Sequence, residues 1–517
     1  MKARSIVSSL PIIEILLSVL ALWYFICWVI SGHNNAGLAL MERVSPYVMG
    51  YIGLRLLFSS FSKQSETIII SGICVWGIVE AGCGLWQVLG RGISNHTLYS
   101  LTGHFSNPGP YGGFIACTMA VAFAEIVRNK KNYLTAVAFA FGFLVLPASM
   151  SRAAWLGLGA SVLLAITWEG RFCNWVKRHF YILPLTCILL MFLLGGAFLM
   201  KKESAVGRLH IWDIEARAIA SHPIFGAGPG FHLGAYGDAQ EAYFRKKLNS
   251  SEDSFSSLPP ILQTRVKAAG SPEYAFNEFM GIGMETGLPG IILALAIMLT
   301  VIVKLYRRRS PMAAGVLCWA IFACASYPLS VTQLCVLLML FLASVVRDGR
   351  PTRTVGQIMA TALGLSLCLG GVLVARVLPD SGLQHSVDYR VLYDEGHSLF
   401  QAGRYAESRE ILDRGALLSS DPMFDIIIGR DLEAMCDYEG ARSAYLKAHY
   451  MTPGRLYPLM RLMRLQVATG QDTLALQTAR ALLDIPVNPR NLTMQRLHDE
   501  AKAVCDSLIS FTLKPGD

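Results

Sequence analysis

Between residues 10 and 376 the chain alternates long apolar runs with short polar breaks, and beyond residue 380 these runs stop. A helix needs about 20 mostly apolar residues to cross a bilayer. Eleven runs read as candidate spans, centred on 10–30, 46–61, 67–89, 112–127, 133–149, 153–168, 180–200, 286–304, 312–327, 329–346 and 356–376. The first is too long, and too poor in small residues at a cleavage site, to read as a removed signal peptide.

The tail follows another period. Tyr405-Ala406-Glu407-Ser408, Tyr438-Glu439-Gly440-Ala441 and Asp472-Thr473-Leu474-Ala475 recur at offsets of 33 and 34 residues. A small residue precedes each (Gly403, Cys436, Gly470) and a proline follows (Pro422, Pro453, Pro486). The pattern resembles the tetratricopeptide repeat, a helix pair of about 34 residues that stacks into a curved binding surface. The expected fold is all-α: a polytopic transmembrane helical bundle of about 11 spans over residues 1–379, with a long extracytoplasmic loop at 201–285, then a soluble α-solenoid over 380–517. That tail either docks on the membrane part or binds a protein partner.

Composition agrees. The chain is 53% apolar and 16% charged, with a mean hydropathy of +0.44, whereas about a quarter of a typical soluble protein is charged. Residues 1–379 hold 30 basic and 17 acidic residues and the tail holds 15 and 19. Most of the excess lies in short loops, so it does not point to nucleic acid. With the amino terminus cytoplasmic, the cytoplasmic loops carry 16 basic residues and the opposite short loops three, as the positive-inside rule requires. Eleven spans then put the tail on the extracytoplasmic side. The twelve cysteines show no CxxC pair or metal spacing and read as small apolar packing residues, although Cys436 and Cys505 could pair. No acidic pair, HExxH or P-loop is present, so no metal, cofactor or nucleotide-sugar donor is expected.

The candidate chemistry lies in the extracytoplasmic loops. The short one holds Gly103-His104-Phe105-Ser106-Asn107-Pro108-Gly109-Pro110-Tyr111-Gly112-Gly113-Phe114, a turn just before a span. Ser151-Arg152-Ala153-Ala154-Trp155 opens the sixth span. The long loop offers Gly207-Arg208-Leu209-His210-Ile211-Trp212, then Ser221-His222-Pro223-Ile224-Phe225-Gly226-Ala227-Gly228-Pro229-Gly230, and ends in Tyr274-Ala275-Phe276-Asn277-Glu278-Phe279 followed by Glu285-Thr286-Gly287-Leu288-Pro289-Gly290.

In this order and on this side, these motifs resemble the O-antigen ligase and polymerase superfamily, polytopic glycosyltransferases of the bacterial inner membrane. The resemblance covers about residues 100–290. It implies transfer of a preassembled glycan from undecaprenyl diphosphate to a periplasmic acceptor, with membrane lipids around the enzyme and a periplasmic C-terminal domain. Arg152 and Arg208 match the family's two essential arginines, and arginine's planar fork suits diphosphate oxygens. Arg217, nine residues after Arg208, is a further candidate for the same anion. Asn107, His222, Asn277 and the intramembrane Glu80 complete the expected binding residues. Glu80 is expected either to pair with Arg55 or to line a carrier-lipid groove.

The family usually has a histidine before the asparagine of its last motif, and this chain has Phe276 there. Glu278 is a substitute base, His222 and His104 are others, and a highly activated donor needs only a weak base. Ligation to lipid A–core is the expected reaction. Repeat-unit polymerisation and protein O-glycosylation stay open, as do two other classes, a transporter of lipid-linked glycans and a non-catalytic scaffold.

Overall fold

The computed structural model describes residues 12–32, 35–60, 64–129, 131–169, 178, 202–248, 255–345, 388–487 and 491–512. Helices are the only regular secondary structure among these residues. The expected spans at 180–200 and 356–376 lie outside the described residues.

The helices fall into two compact units. The first contains α1 (Ile12–Ile30), most of α2 (Asn35–Ser60), α3 (Gln64–Val88), α4 (Pro108–Arg128), α5 (Tyr133–Val145), α6 (Arg152–Ile166), α10 (Glu278–Arg307), α11 (Met312–Ala323) and α12 (Thr332–Ala343). The second contains α7 (Lys202–Ser221), α8 (His232–Lys247), α9 (Pro260–Ala268), α13 (Tyr389–Gln401), α14 (Tyr405–Ala416), α15 (Met423–Ala434), α16 (Tyr438–Met451), α17 (Leu456–Ala468), α18 (Asp472–Asp484) and α19 (Leu492–Thr512). The long loop thus forms a unit with the C-terminal helices.

The first unit is a helical membrane bundle. Helices α1, α3, α4 and α10 are long and apolar enough to cross a bilayer, and α5, α6, α11 and α12 are shorter apolar helices. The outer face of α10 exposes Leu288, Ile292, Leu295, Leu299 and Val303. Apolar residues all round a helix suit lipid on the outside as well as a core on the inside. Helix α4 lies at the centre, mostly buried. Its neighbours approach through small residues, as expected where lipid removes the hydrophobic drive for helix association. A β-carbon at Gly113 of α4 would stand 2.5 Å from the Phe322 ring of α11, and one at Gly157 of α6 would stand 2.8 Å from the Cys318 carbonyl oxygen. Helix α10 kinks at Gly287 (φ +73°), two residues before Pro289. The carbonyl of Thr286 at the kink accepts the Trp23 indole N–H at 2.8 Å.

One expectation changes. Arg55 does not pair with Glu80; its ion-pair partner is Glu14 of α1, with Tyr51 donating to the same carboxylate at 3.5 Å. Spacing along three separate helices could not reveal which two faces meet, and Glu80 is occupied by the short loop.

In the second unit the C-terminal helices pack in consecutive pairs, α13 on α14, α15 on α16 and α17 on α18, with α19 against the last. The turn inside each pair passes through a left-handed residue: Gly403 (φ +75°), Cys436 (φ +63°) and Gly470 (φ +68°). The 33–34-residue offset therefore has a backbone cause. Cys436 and Cys505, which the sequence allowed to pair, are both free thiols, the first exposed and the second buried. Helix α8 joins the loop to these pairs by packing on α16. Gln240 of α8 uses its whole carboxamide: Nε2 donates to the carbonyls of Gly270 (3.0 Å) and Met451 (2.5 Å), and Oε1 accepts from Tyr236 Oη (2.9 Å) and His210 Nε2 (3.0 Å).

Candidate functional site

Helix directions in the first unit gather most of its candidate residues at one end. Ser161 of α6 donates to the Ala314 carbonyl of α11 at 2.8 Å, while Gly157 meets Cys318, so these helices are antiparallel and the start of α6 lies at the end of α11. Gly113 against Phe322 brings the start of α4 to the same place. The Leu329 amide just beyond α11 donates to Glu278 Oε1 at 2.6 Å, which adds the start of α10. Three helix N-termini, carrying Asn107, Arg152 and Asn277, therefore share one end of the bundle. Partial positive charge from each makes such an end favourable for anions. The other end is basic in its side chains, with Arg128 on Glu66 at 2.8 Å and Arg307, Arg308 and Arg309 closing α10.

Each N-terminus has a local cause. Asn107 caps α4, its Oδ1 accepting the Gly109 N–H at 2.9 Å, with Pro108 suited to the first helical position. Asn277 caps α10 by accepting from Phe279 (3.1 Å) and Met280 (3.3 Å). Arg152 opens α6 directly after the Pro147–Ser149 turn and Met150 (φ +51°). A β-carbon at Gly112 would stand 2.5 Å from Ser149 Oγ, so α4 and this turn touch. Phe276 sits before the cap at φ +52°, its ring edge-on to Tyr327 at 5.5 Å. It offers no group that could accept a proton.

The short loop is built on Gln87, which sequence reasoning missed. Its Oε1 accepts the N–H groups of Thr102 (2.9 Å) and Gly103 (2.7 Å), and its Nε2 donates to the carbonyls of Ile93 (2.9 Å) and Gly103 (3.1 Å). Gly103 turns at φ +57°, where a β-carbon would stand 2.6 Å from Tyr111 and 2.9 Å from Glu80 Oε2. That turn sets His104 on Glu80: His104 Nδ1 lies 3.1 and 3.2 Å from the two carboxylate oxygens, and its backbone N–H donates to Oε2 at 3.3 Å. A buried polar residue near the end of an apolar run was the available signal for Gln87.

In the second unit, Arg208 and Arg217 both lie on α7. Nine residues are two and a half turns at 3.6 per turn, which sets the two on opposite faces of that helix. Arg217 bonds to Asp213 at 3.3 and 3.4 Å and lies over the Tyr243 ring at 4.8 Å, with Arg265 on that ring at 5.2 Å. His222 bonds to Ser221 Oγ through Nδ1 at 3.0 Å. Arg217, His222, Asp238, Lys246 and Lys247 edge a groove of about 860 Å³ between the loop helices and Leu417.

Two buried titratable groups of α7 face inward. Burial holds His210 below the usual imidazole value. Gln240 Oε1 only accepts, so His210 Nε2 carries the proton. Burial pushes the Glu215 carboxyl up to about 10, and neither oxygen has a hydrogen-bond partner among the described residues. Glu215 is therefore protonated at neutral pH in the folded chain. Below the ordinary value near 4.5 both folded and unfolded forms hold the proton; from there to about 10 only the folded form does. Stability from this group thus falls as pH rises through that window, by at most about 1.4 kcal/mol per pH unit. Glu215→Gln is expected to melt higher than the wild type at pH 8, with the gap closing towards pH 5. Melting curves of both proteins across that range check it, and a constant gap would contradict it.

Residues 137–295 match the family model described as O-antigen ligase. No curated protein matches the chain. The matched stretch contains Arg152, Arg208, Arg217, His222, Asn277 and Glu278; Glu80, His104 and Asn107 precede it. With its apolar helices the chain is a multi-pass membrane protein, and its residues 137–295 are similar to the O-antigen ligase family.

Proposed function

We propose that the protein transfers a preassembled glycan from undecaprenyl diphosphate to an acceptor on the periplasmic face of the bacterial inner membrane, most naturally lipid A–core. The observation that carries this reading is the meeting of three helix N-termini with Arg152 at one end of the bundle. Fixed positive dipoles and a guanidinium aimed at departing charge are what a diphosphate leaving group requires. Arg208 supplies the second guanidinium, and Arg217 and His222 bind the glycan or its acceptor along their groove. Asn107 and Asn277 act on substrate through the helix starts they cap. Glu80 acts through His104. The reaction proceeds without a metal.

The C-terminal helices form a periplasmic tetratricopeptide-like region that binds a protein partner. The left-handed turn recurring in each helix pair supports this. Polymerisation and protein O-glycosylation use the same donor chemistry, so one experiment separates the three. Deleting the gene in its host is expected to leave polymer that no longer reaches lipid A–core. Single repeat units capping the core would make the protein a polymerase, and loss of glycan from proteins alone would make it an oligosaccharyltransferase. An unchanged glycan profile on gels would sink the transfer reading.

A further inference from the structure

We propose that His104, oriented by Glu80, is the general base that takes the proton from the acceptor hydroxyl. The inference rests on the transfer reading above and supplies the group missing at Phe276.

Glu80 is 4% exposed, whereas the His104 side chain is 62% exposed. A buried carboxylate therefore holds one edge of an imidazole whose other edge faces solvent. The carboxylate only accepts, so Nδ1 carries the proton and Nε2 presents its lone pair outward. Nε2 has no hydrogen-bond partner among the described residues. Tyr111, which donates to the Glu80 carbonyl at 3.2 Å, and Cys83 are the other titratable groups facing the pair.

The loop is already pinned by the four bonds of Gln87, so the outward imidazole is not needed to hold it. The pair also lies at the end of the bundle that carries Arg152, three residues before the Asn107 cap. The alternatives are worse placed: Glu278 accepts the Leu329 N–H, and Phe276 has no basic atom.

In the step, the acceptor oxygen bonds to the anomeric carbon as its proton passes to His104 Nε2. The bond from that carbon to the diphosphate oxygen breaks, and its electron pair leaves with undecaprenyl diphosphate. Glu80 faces the imidazolium so formed, the role of the acidic partner in a carboxylate–histidine pair. Solvent then takes the proton.

The test uses detergent-solubilised full-length protein, with the lipid extract of the deletion host as donor and its lipid A–core as acceptor. His104→Ala is expected to lower kcat about 100-fold, the low end for a lost general base, with KM within about threefold. The acid limb of the pH–rate profile should vanish, and added imidazole should restore part of the rate. Glu80→Gln keeps an acceptor for Nδ1 but loses the charge, so its acid limb should move. His104→Ala within threefold of wild-type kcat, or with an unaltered acid limb, overturns the assignment. If His104→Ala cannot be recovered folded, an unmoved limb in Glu80→Gln overturns it. Failure of the wild type itself to transfer glycan sinks the transfer reading instead.

Discussion

Arg152→Ala is expected to reduce transfer about 1,000-fold, the upper range for removing one preorganised charge-stabilising donor, while leaving the bundle folded. The two halves have one cause. Arg152 is the first residue of α6, where the helix end is partially positive, so a cation there disfavours the helix by about 0.3–1 kcal/mol. The helix dipole therefore does not favour an arginine at this position, whereas an anion bound at the same end would be attracted by both charges. The loss should fall on kcat and kcat/KM together if the contact strengthens as the diphosphate departs. Arg152→Lys keeps the charge but not the two-pronged geometry, and should recover only part of the rate. Arg208→Ala is expected to behave similarly, from a separate helix. Measuring transfer and thermal unfolding on the same preparations checks both halves. A variant that transfers at the wild-type rate would remove the diphosphate role, and one that unfolds far earlier would make Arg152 structural.

The contrast between Arg152 and the polar pairs shows what the chain discloses in one dimension. Apolar runs announce the spans because length and composition alone decide whether a helix suits a bilayer. Asn107 and Asn277 were legible as chemistry in turns, since an asparagine before a helix start satisfies orphan N–H groups locally. Arg55, Glu14 and Glu80 were visible as charges but not as partners, because pairing depends on which helix faces meet. His104 was only one of several candidate bases until Gly103 turned it onto a carboxylate 24 positions earlier. Gln87 and Gln240 escaped notice because an amide leaves no periodic trace; Gln87 bonds four times to backbone groups, and Gln240 to two carbonyls and two side chains, that only the folded chain brings together. The packing of the long loop on the C-terminal helices was hidden likewise: the Gln240–Met451 bond spans 211 positions.

Gln87→Leu is the second large effect, and it separates the loop from the bundle. The variant leaves the Thr102 and Gly103 N–H groups and the Ile93 carbonyl without the partner that Gln87 supplies. Thr102 and Gly103 are buried, so water does not replace their lost bonds, whereas Ile93 is exposed and its carbonyl is hydrated instead. At roughly 1–3 kcal/mol for each of these two buried orphans, the cost is about 2–6 kcal/mol, concentrated in residues 90–107 because the α3–α4 packing through Gly77 and Gly84 does not use Gln87. Gln87→Glu retains acceptors for both N–H groups but loses both donors, so it should fall between wild type and Gln87→Leu. Hydrogen exchange is expected to show faster amide exchange across 90–107 in that order, with the amides in the middle of α4 unchanged. Transfer should fall at least as far as in His104→Ala, because the turn that sets His104 on Glu80 is lost with the loop. Unchanged protection of 90–107 in Gln87→Leu would mean that the loop is held by Asn95, whose Nδ2 reaches the Phe105 carbonyl at 3.2 Å, and by Ser94, whose Oγ donates to the Tyr99 carbonyl at 2.5 Å; the amide would then be a passenger rather than the support of the candidate base.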